Sequence, residues 1–439
     1  MKKKIEFIKN NFLKHELVSG SLFIFSGSIF GNIFAFLLNL FLARNFSYAD
    51  YAIFASLLSI ITLAAIPVGS MNTVIVKFAT DFFVKKQNDR LKSLYLLFFK
   101  FVLGISLLII LLFLIFSDPL KEYLKIDNVW CIIVTGFVIA SYYLNTLNNA
   151  FLQGMLKFKF ISFLSIFGSF VKLIFGVGLV FAGYRVFGGL GALFAMAFGT
   201  YLMAFVPLTK LLKGKASGKR ISLNVRQIIG YAIPTFITIL FMTSFTSTDV
   251  ILVKHFFNPQ VAGLYAGLSL MGKVIFYFTA PIPMVMFPLL VKRHSAGTNF
   301  NNLFYLALLL VIVPAVAITA FYFIFPNFAI NFFLGGRDYL TLARYLGIFG
   351  LYLTIFSMVN ICVSFFLSLS KTKIYIPVVI AAISQVVLIY VFHSDFYQVI
   401  GVSLLVLAVL LVFLLYLFYK SYWKFGNLKN YGNLNAPSV

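Results

Sequence analysis

Apolar runs of about 20 residues recur along the whole chain, each long enough to cross the roughly 30 Å hydrocarbon core of a bilayer as an α-helix. That core offers no water to backbone N–H and C=O groups, so such runs are confined to structures that satisfy every backbone bond internally. Twelve runs are present, centred near Gly31, Ala65, Ile105, Val138, Phe170, Met196, Leu240, Tyr277, Ile312, Ile355, Ala382 and Leu407. Only 10% of the 439 residues are charged and 62% are apolar, against roughly 25% charged in a soluble domain. The expected fold is an all-α integral membrane protein of twelve transmembrane helices with short connections. Its first run, from about Leu17 to Leu42, outlasts the roughly 7 to 15 residues of a signal-peptide core and reads as a retained helix.

A net charge of +24 would suit a nucleic-acid binder, but the cations sit in loops between apolar runs. Counted on alternate sides, 26 of the 35 Lys and Arg fall on the side of the N-terminus and seven on the other. Such asymmetry marks the cytoplasmic face. Both termini are therefore expected in the cytoplasm, with contact to anionic lipid as a by-product and no nucleic-acid partner. The seven on the outer side are Arg44, Lys121, Lys125, Arg185, Lys254, Arg337 and Arg344.

The longest basic connection divides the chain nearly in half. It suggests an N-terminal six-helix lobe (1–212), a cytoplasmic basic linker (213–226) and a C-terminal six-helix lobe (227–439). The lobes show self-similarity: Leu42-Ala43-Arg44-Asn45-Phe46 matches Leu252-Val253-Lys254-His255-Phe256 at an offset of 210, and Lys157 and Lys159 match Lys371 and Lys373 at an offset of 214. Two repeats of six helices follow. The second helix of each half also carries proline, Pro67 in one and Pro281, Pro283 and Pro288 in the other. Proline removes a backbone donor and kinks a helix.

Lys172 and Lys273 are the two cations that lie inside apolar runs. An ammonium at the bilayer centre costs at least about 2.5 to 3.5 kcal/mol, so it usually faces protein or a water-filled cavity. Lys172 lies about 18 Å along its helix at 1.5 Å per residue, near the midplane, and Lys273 is similarly deep. Ser165, Gly168, Ser169 and Gly176 share the face of Lys172, while Ser269 and Tyr277 flank Lys273. Both lysines are candidates for binding an anion. Asp249 follows Thr243, Ser244, Thr246, Ser247 and Thr248; it suits either a coupling proton or cation, or a structural partner of Arg44, Lys254 or Lys273. Arg44 and Lys254, at the outer ends of the first helix of each half, suit anion release or interfacial anchoring. Asn32 and Asn39 share a face of the first helix, and Asn145, Asn148, Asn149 and Gln153 cluster on the fourth. These amides suit sugar hydroxyls or interhelical bonds.

Signatures of covalent chemistry are missing. Gly214 to Arg220 falls short of a phosphate-binding loop, with one residue too few between its glycines and Arg220 in place of Ser or Thr. Cys131 and Cys362 have no metal spacing, and the histidines His15, His255, His294 and His393 are scattered. No metal or cofactor is expected, apart from coupling to an H+ or Na+ gradient.

The stretch DVILVKHFFNPQVAGLYAGLSLMGKVIFYFTAPIPMVMFPLL, Asp249 to Leu290, resembles the seventh-to-eighth helix region of polysaccharide and O-antigen flippases. These belong to the multidrug, oligosaccharidyl-lipid and polysaccharide exporter superfamily. LARNFSYADYAIFASL from Leu42, FLQGMLKFKF from Phe151 and FFLGGRDYLTLARYLGIFG from Phe332 resemble the same family in order and spacing. The resemblance implies a MATE-like fold of two pseudo-symmetric six-helix lobes that open alternately to either side of the bacterial cytoplasmic (inner) membrane. It also implies a substrate made of an oligosaccharide on undecaprenyl pyrophosphate, no enzymatic reaction, and a glycan polymerase and chain-length regulator as partners. A multidrug exporter of the same fold, favouring cavity carboxylates, is the nearest alternative. A membrane-embedded glycan polymerase or ligase is the enzyme alternative, and the short outer loops argue against it.

Overall fold

The computed structural model describes residues 16–46, 48–124, 126, 128–213, 224–257, 259–296, 298, 300–334 and 337–432. Among these, every regular element is helical. The first half runs through α1 (Glu16–Asn45), α2 (Tyr48–Ala64), α3 (Ile66–Val84), α4 (Asn88–Ile115), a short α5 (Ser117–Leu124), α6 (Val129–Gly154), α7 (Phe158–Leu179) and α8 (Arg185–Lys213). The second runs through α9 (Val225–Phe245), α10 (Thr248–Phe256), α11 (Pro259–Thr279), α12 (Pro281–Ser295), α13 (Asn301–Ile324), a short α14 (Pro326–Leu334), α15 (Ala343–Ser368), α16 (Tyr375–Val391) and α17 (Phe396–Gly432).

Among the described residues, eleven stretches are long and apolar enough to span a membrane, one of them the 52-residue Phe158–Thr209. A single helix of that length would reach nearly 80 Å at about 1.5 Å per residue, far beyond a bilayer. Instead the chain turns at Gly183, whose φ of 90° is open to glycine. There α7 ends and α8 packs back on it, with Met196 and Thr200 against Gly168. All twelve runs read from the sequence are thereby accounted for. The short helices α5 and α14 were not anticipated; each follows the third long helix of its half.

The chain divides into two compact units. One comprises Met1–Phe236 with Phe287–Phe300, the other Ile237–Met286 with Asn301–Val439. The division falls within α9 rather than in the basic connection at 213–226, of which residues 214–223 lie outside the described residues. The phosphate-loop-like segment Gly214 to Arg220 lies there too. Two contacts fasten the added segments to the first unit: the Phe78 and Tyr231 rings meet edge to face at 5.7 Å, and Ser295 Oγ donates to Asp81 Oδ1.

In the first unit, Leu38 and Leu42 of α1, Phe54 and Leu57 of α2, Ile132 and Val138 of α6, and Leu190 and Leu193 of α8 form one buried cluster. Helices α1 and α7 approach closely because Gly27 and Gly31 face Ser162, Ser165 and Ser169; a Cβ on Gly27 would lie 2.8 Å from Ser162 Cα. Ser165 Oγ donates to the Gly27 carbonyl at 3.3 Å. Small residues at such a seam let backbones meet where lipid gives no hydrophobic drive between helices. Opposite such seams, helices present apolar side chains outward: Leu107, Leu111 and Ile115 of α4 are 59%, 51% and 61% exposed. Each would cost about 1.5 to 3 kcal/mol in water relative to burial, so this stripe fits acyl chains.

In the second unit α15 is the buried spine. Tyr322 donates to the Met271 carbonyl at 2.8 Å, and the Thr319 and Thr354 hydroxyls pair at 2.8 Å. Helix α15 thus joins α13 through a hydroxyl pair as well as through apolar packing.

The repeat shows in the turns. At the α6–α7 turn the amides of Met155, Leu156 and Lys157 bond the carbonyls of Phe151, Gln153 and Leu152; at the α15–α16 turn Leu369, Ser370 and Lys371 bond Phe365, Leu367 and Phe366. Leu156 and Ser370 both sit at φ 59°. Every partner is displaced by the offset read from the lysine pairs. Left-handed backbone costs a non-glycine residue roughly 1–2 kcal/mol, so its recurrence at matched positions reflects a common turn geometry.

Candidate functional site

Helix breaks at proline and hydroxyl residues position the polar groups of each unit. In the first, α3 starts anew at Ile66 with Pro67 in its first turn. The Val68 amide bonds Ala65, and the freed Ala64 carbonyl accepts the Tyr143 hydroxyl at 2.9 Å. In the second unit α11 and α12 part at Ala280 before Pro281. Both breaks fall where the sequence places its repeat-related prolines.

Lys172 lies on α7 and is half-buried. Its small neighbours are used by adjacent helices: Ser165 and Ser169 by α1 at Gly31, Gly168 by α8, and Gly176 by Leu38 and Ala192. The side chain therefore emerges from a tightly packed seam, without an ion-pair or hydrogen-bond partner among the described residues. Asn32 of α1 is exposed. The side chains of Asn39 and Arg44 lie outside the described residues.

The amides of α6 divide between two uses. Asn148 is fully buried, accepting from the Tyr95 hydroxyl at 2.9 Å and donating to the Tyr201 carbonyl at 3.1 Å. Asn72 donates to Gln153 at 3.4 Å. These two bind α6 to α3, α4 and α8. Asn145 and Asn149 are half-buried and bonded to each other, Nδ2 of Asn149 donating to Oδ1 of Asn145 at 2.9 Å.

In the second unit Lys273 of α11 is exposed, as is Tyr277 one turn on, while Ser269 one turn back is buried. Asp249 stands in the first turn of α10, fully buried, and Oδ2 accepts the Tyr265 hydroxyl at 2.9 Å. Its Oδ1 is buried without a hydrogen-bond partner among the described residues. Among the described residues no ion pair joins Lys273 to Asp249, although its charge acts on that carboxylate, and the Lys254 side chain lies outside the described residues.

One polar belt escaped sequence reasoning. The break between α9 and α10 frees the Phe245 carbonyl, which accepts from the Tyr352 hydroxyl and from Gln385 Nε2 at 3.2 Å. Gln385 Nε2 also reaches Ser403 Oγ at 2.9 Å, and its Oε1 is buried without a partner among the described residues. Asp249 and Gln385 thus each hold a buried oxygen without a hydrogen-bond partner among the described residues. A buried glutamine within an apolar run was the available signal.

This succession of helices is that of the MATE transporters. An outward-facing multidrug resistance MATE family transporter of the MOP superfamily is similar at a TM-score of 0.73 and 11% identity, covering 91% of this chain and 94% of that one. A further MATE variant gives 0.76 and 13% over 95% and 98%. A variant of the Vibrio cholerae MATE transporter VcmN gives 0.75 and 14% over 94% and 97%. At such identities the likeness establishes the fold. No curated protein matches the chain in sequence.

The polysaccharide biosynthesis protein family profile matches residues 41–344, well over half of the chain. The chain belongs to that family, in agreement with the flippase resemblance carried by its motifs.

Proposed function

We propose that the chain is a flippase that carries an undecaprenyl-pyrophosphate-linked oligosaccharide across the cytoplasmic membrane by alternating access of two six-helix lobes, 1–212 and 227–439. Membership of a polysaccharide biosynthesis family on a transporter fold supports that class. The observation that carries the anionic headgroup is Lys172, an ammonium deep in an apolar helix without a described counter-ion. Such a charge neutralises phosphate as it leaves water, where charge-assisted bonds are roughly twice as strong as neutral ones. Lys273 supplies a second ammonium, Arg44 and Lys254 receive the anion at the outer side, and Asn32, Asn39, Asn145 and Asn149 offer amides to sugar hydroxyls. Asp249 takes the coupling H+ or Na+. The polymerase and chain-length regulator of the same glycan are the partners this role implies.

Reconstitution with a labelled lipid-linked glycan tests the reading by asking whether the sugar becomes accessible across the vesicle wall. Lys172→Ala and Lys273→Ala should each slow transfer at least fivefold with unchanged expression, and Lys172→Arg should be milder. Wild-type transfer by both alanine variants would sink the headgroup assignment. The buried Asp249 favours one second reading, export of an organic cation; gradient-driven efflux of a cationic dye without glycan transfer would establish it instead.

A further inference from the structure

A cleft of about 480 Å³ opens in the first unit beside the α6–α7 turn. Ser19 and Phe23 of α1, Lys157 and Lys159, Phe160 of α7 and Leu289 of α12 form its walls. It lies at the end of α1 and α7 that the cation count assigns to the cytoplasm. Two features define what it suits. Lys159 is exposed and holds its Nζ 5.0 Å above the centroid of the Phe23 ring, so its charge lies against an apolar wall where water reaches only part of it. Around both ammonium groups the lining is aromatic and aliphatic, and Ser19 is the single hydroxyl among the described lining residues.

We propose that this cleft binds an acidic phospholipid of the cytoplasmic leaflet, its phosphate against Lys157 and Lys159 and its upper acyl chain along Phe23, Phe160 and Leu289. Basic pockets between transmembrane helices on that side suit anionic headgroups, and the volume lies within the roughly 300–1,000 Å³ of ordinary ligand sites. A glycan-bearing headgroup is poorly matched, because sugars need several amides and hydroxyls, and the described walls offer the one hydroxyl of Ser19. The repeat-related turn also carries a cation beside an aromatic ring. There Lys371 is half-buried, as Lys157 is, and lies over Phe366 of the preceding helix at 5.8 Å. The inference is independent of the transported substrate.

Native mass spectrometry of the full chain tests it, after exchange into neutral detergent containing phosphatidylglycerol, phosphatidylcholine or undecaprenyl pyrophosphate. The wild type should retain one phosphatidylglycerol at least tenfold better than phosphatidylcholine. The double variant Lys157→Gln with Lys159→Gln should lose that preference at an unchanged melting temperature. Leu289→Trp, which fills the cleft from α12 and spares both cations, should lose the bound lipid as well. If the double variant does not fold, Lys159→Gln alone decides, since that side chain is exposed. Equal retention of the two phospholipids, undiminished phosphatidylglycerol on the folded lysine variants, or displacement by undecaprenyl pyrophosphate at lower concentration would each overturn the assignment, the last by giving the cleft to the substrate.

Discussion

Helix α1 and the pair α9–α10 open the two halves of the chain, and at the offset of 210 they differ in one decisive way. Helix α1 runs unbroken from Glu16 to Asn45, whereas its counterpart stops at Phe245 and restarts at Thr248. Where α1 reads Ala35-Phe36-Leu37-Leu38-Asn39, the other reads Phe245-Thr246-Ser247-Thr248-Asp249. Leucine loses little freedom in a helix, while Ser and Thr hydroxyls compete for its backbone groups. They do so here: Ser244 and Thr248 pair at 2.7 Å, and Thr246 donates to the Thr243 carbonyl at 3.3 Å. The interruption frees a carbonyl and sets a buried carboxylate just beyond it. Matched repeats thus share backbone plan and part company at a few polar substitutions.

If that asymmetry locates coupling in the second half, Asp249→Asn should lower gradient-driven glycan transfer at least tenfold in reconstituted vesicles and leave expression intact. Gradient-dependent transfer at the wild-type rate would reduce Asp249 to a structural partner of Tyr265. Next in size are the hydroxyls that satisfy the freed carbonyls. Ala64 has no donor besides Tyr143 among the described residues, so Tyr143→Phe should cost roughly 1–3 kcal/mol, read as a lowered melting temperature. The Phe245 carbonyl keeps Gln385, so Tyr352→Phe should cost less, about 0.5–1.5 kcal/mol. A larger loss for Tyr352→Phe would show that the break in the second half depends on its tyrosine alone.

The smallest effect sits at the second of the matched turns. Burial holds Lys371 below the ordinary lysine value of 10.5, so the folded chain binds this proton less tightly than the unfolded chain does. Charging it therefore opposes folding, and that penalty fades as pH rises toward 10.5. Stability of the wild type should climb slightly across this alkaline window, and Lys371→Gln should flatten the climb. An identical pH profile for the two would show that burying Lys371 costs the fold nothing.

Much of the fold was legible because its signals are local. Span length, the proline breaks before Pro67 and Pro281, and the twin turns at Lys157 and Lys371 each depend on a few consecutive residues. The short helices α5 and α14 were missed because eight or nine residues lie below the length at which apolar periodicity speaks. At the candidate site, the burial of Asp249 followed from position in an apolar run. The partners did not: Gln385, Tyr352 and Ser403 are remote in sequence from Phe245, and only packing brings them to its carbonyl.

By itself the sequence determined a helical membrane chain of twelve spans with an internal repeat, since hydrocarbon forbids unsatisfied backbone and each span must close its own hydrogen bonds. The tertiary structure decided how the polar residues within those spans are used. Asn148 became a brace between helices, and Ser165 and Gly168 became packing seams. Asp249 became a buried carboxylate with one oxygen open. Desolvation makes each of those fates depend on neighbours from distant helices, because a polar group in an apolar interior is stable only where another group reaches it.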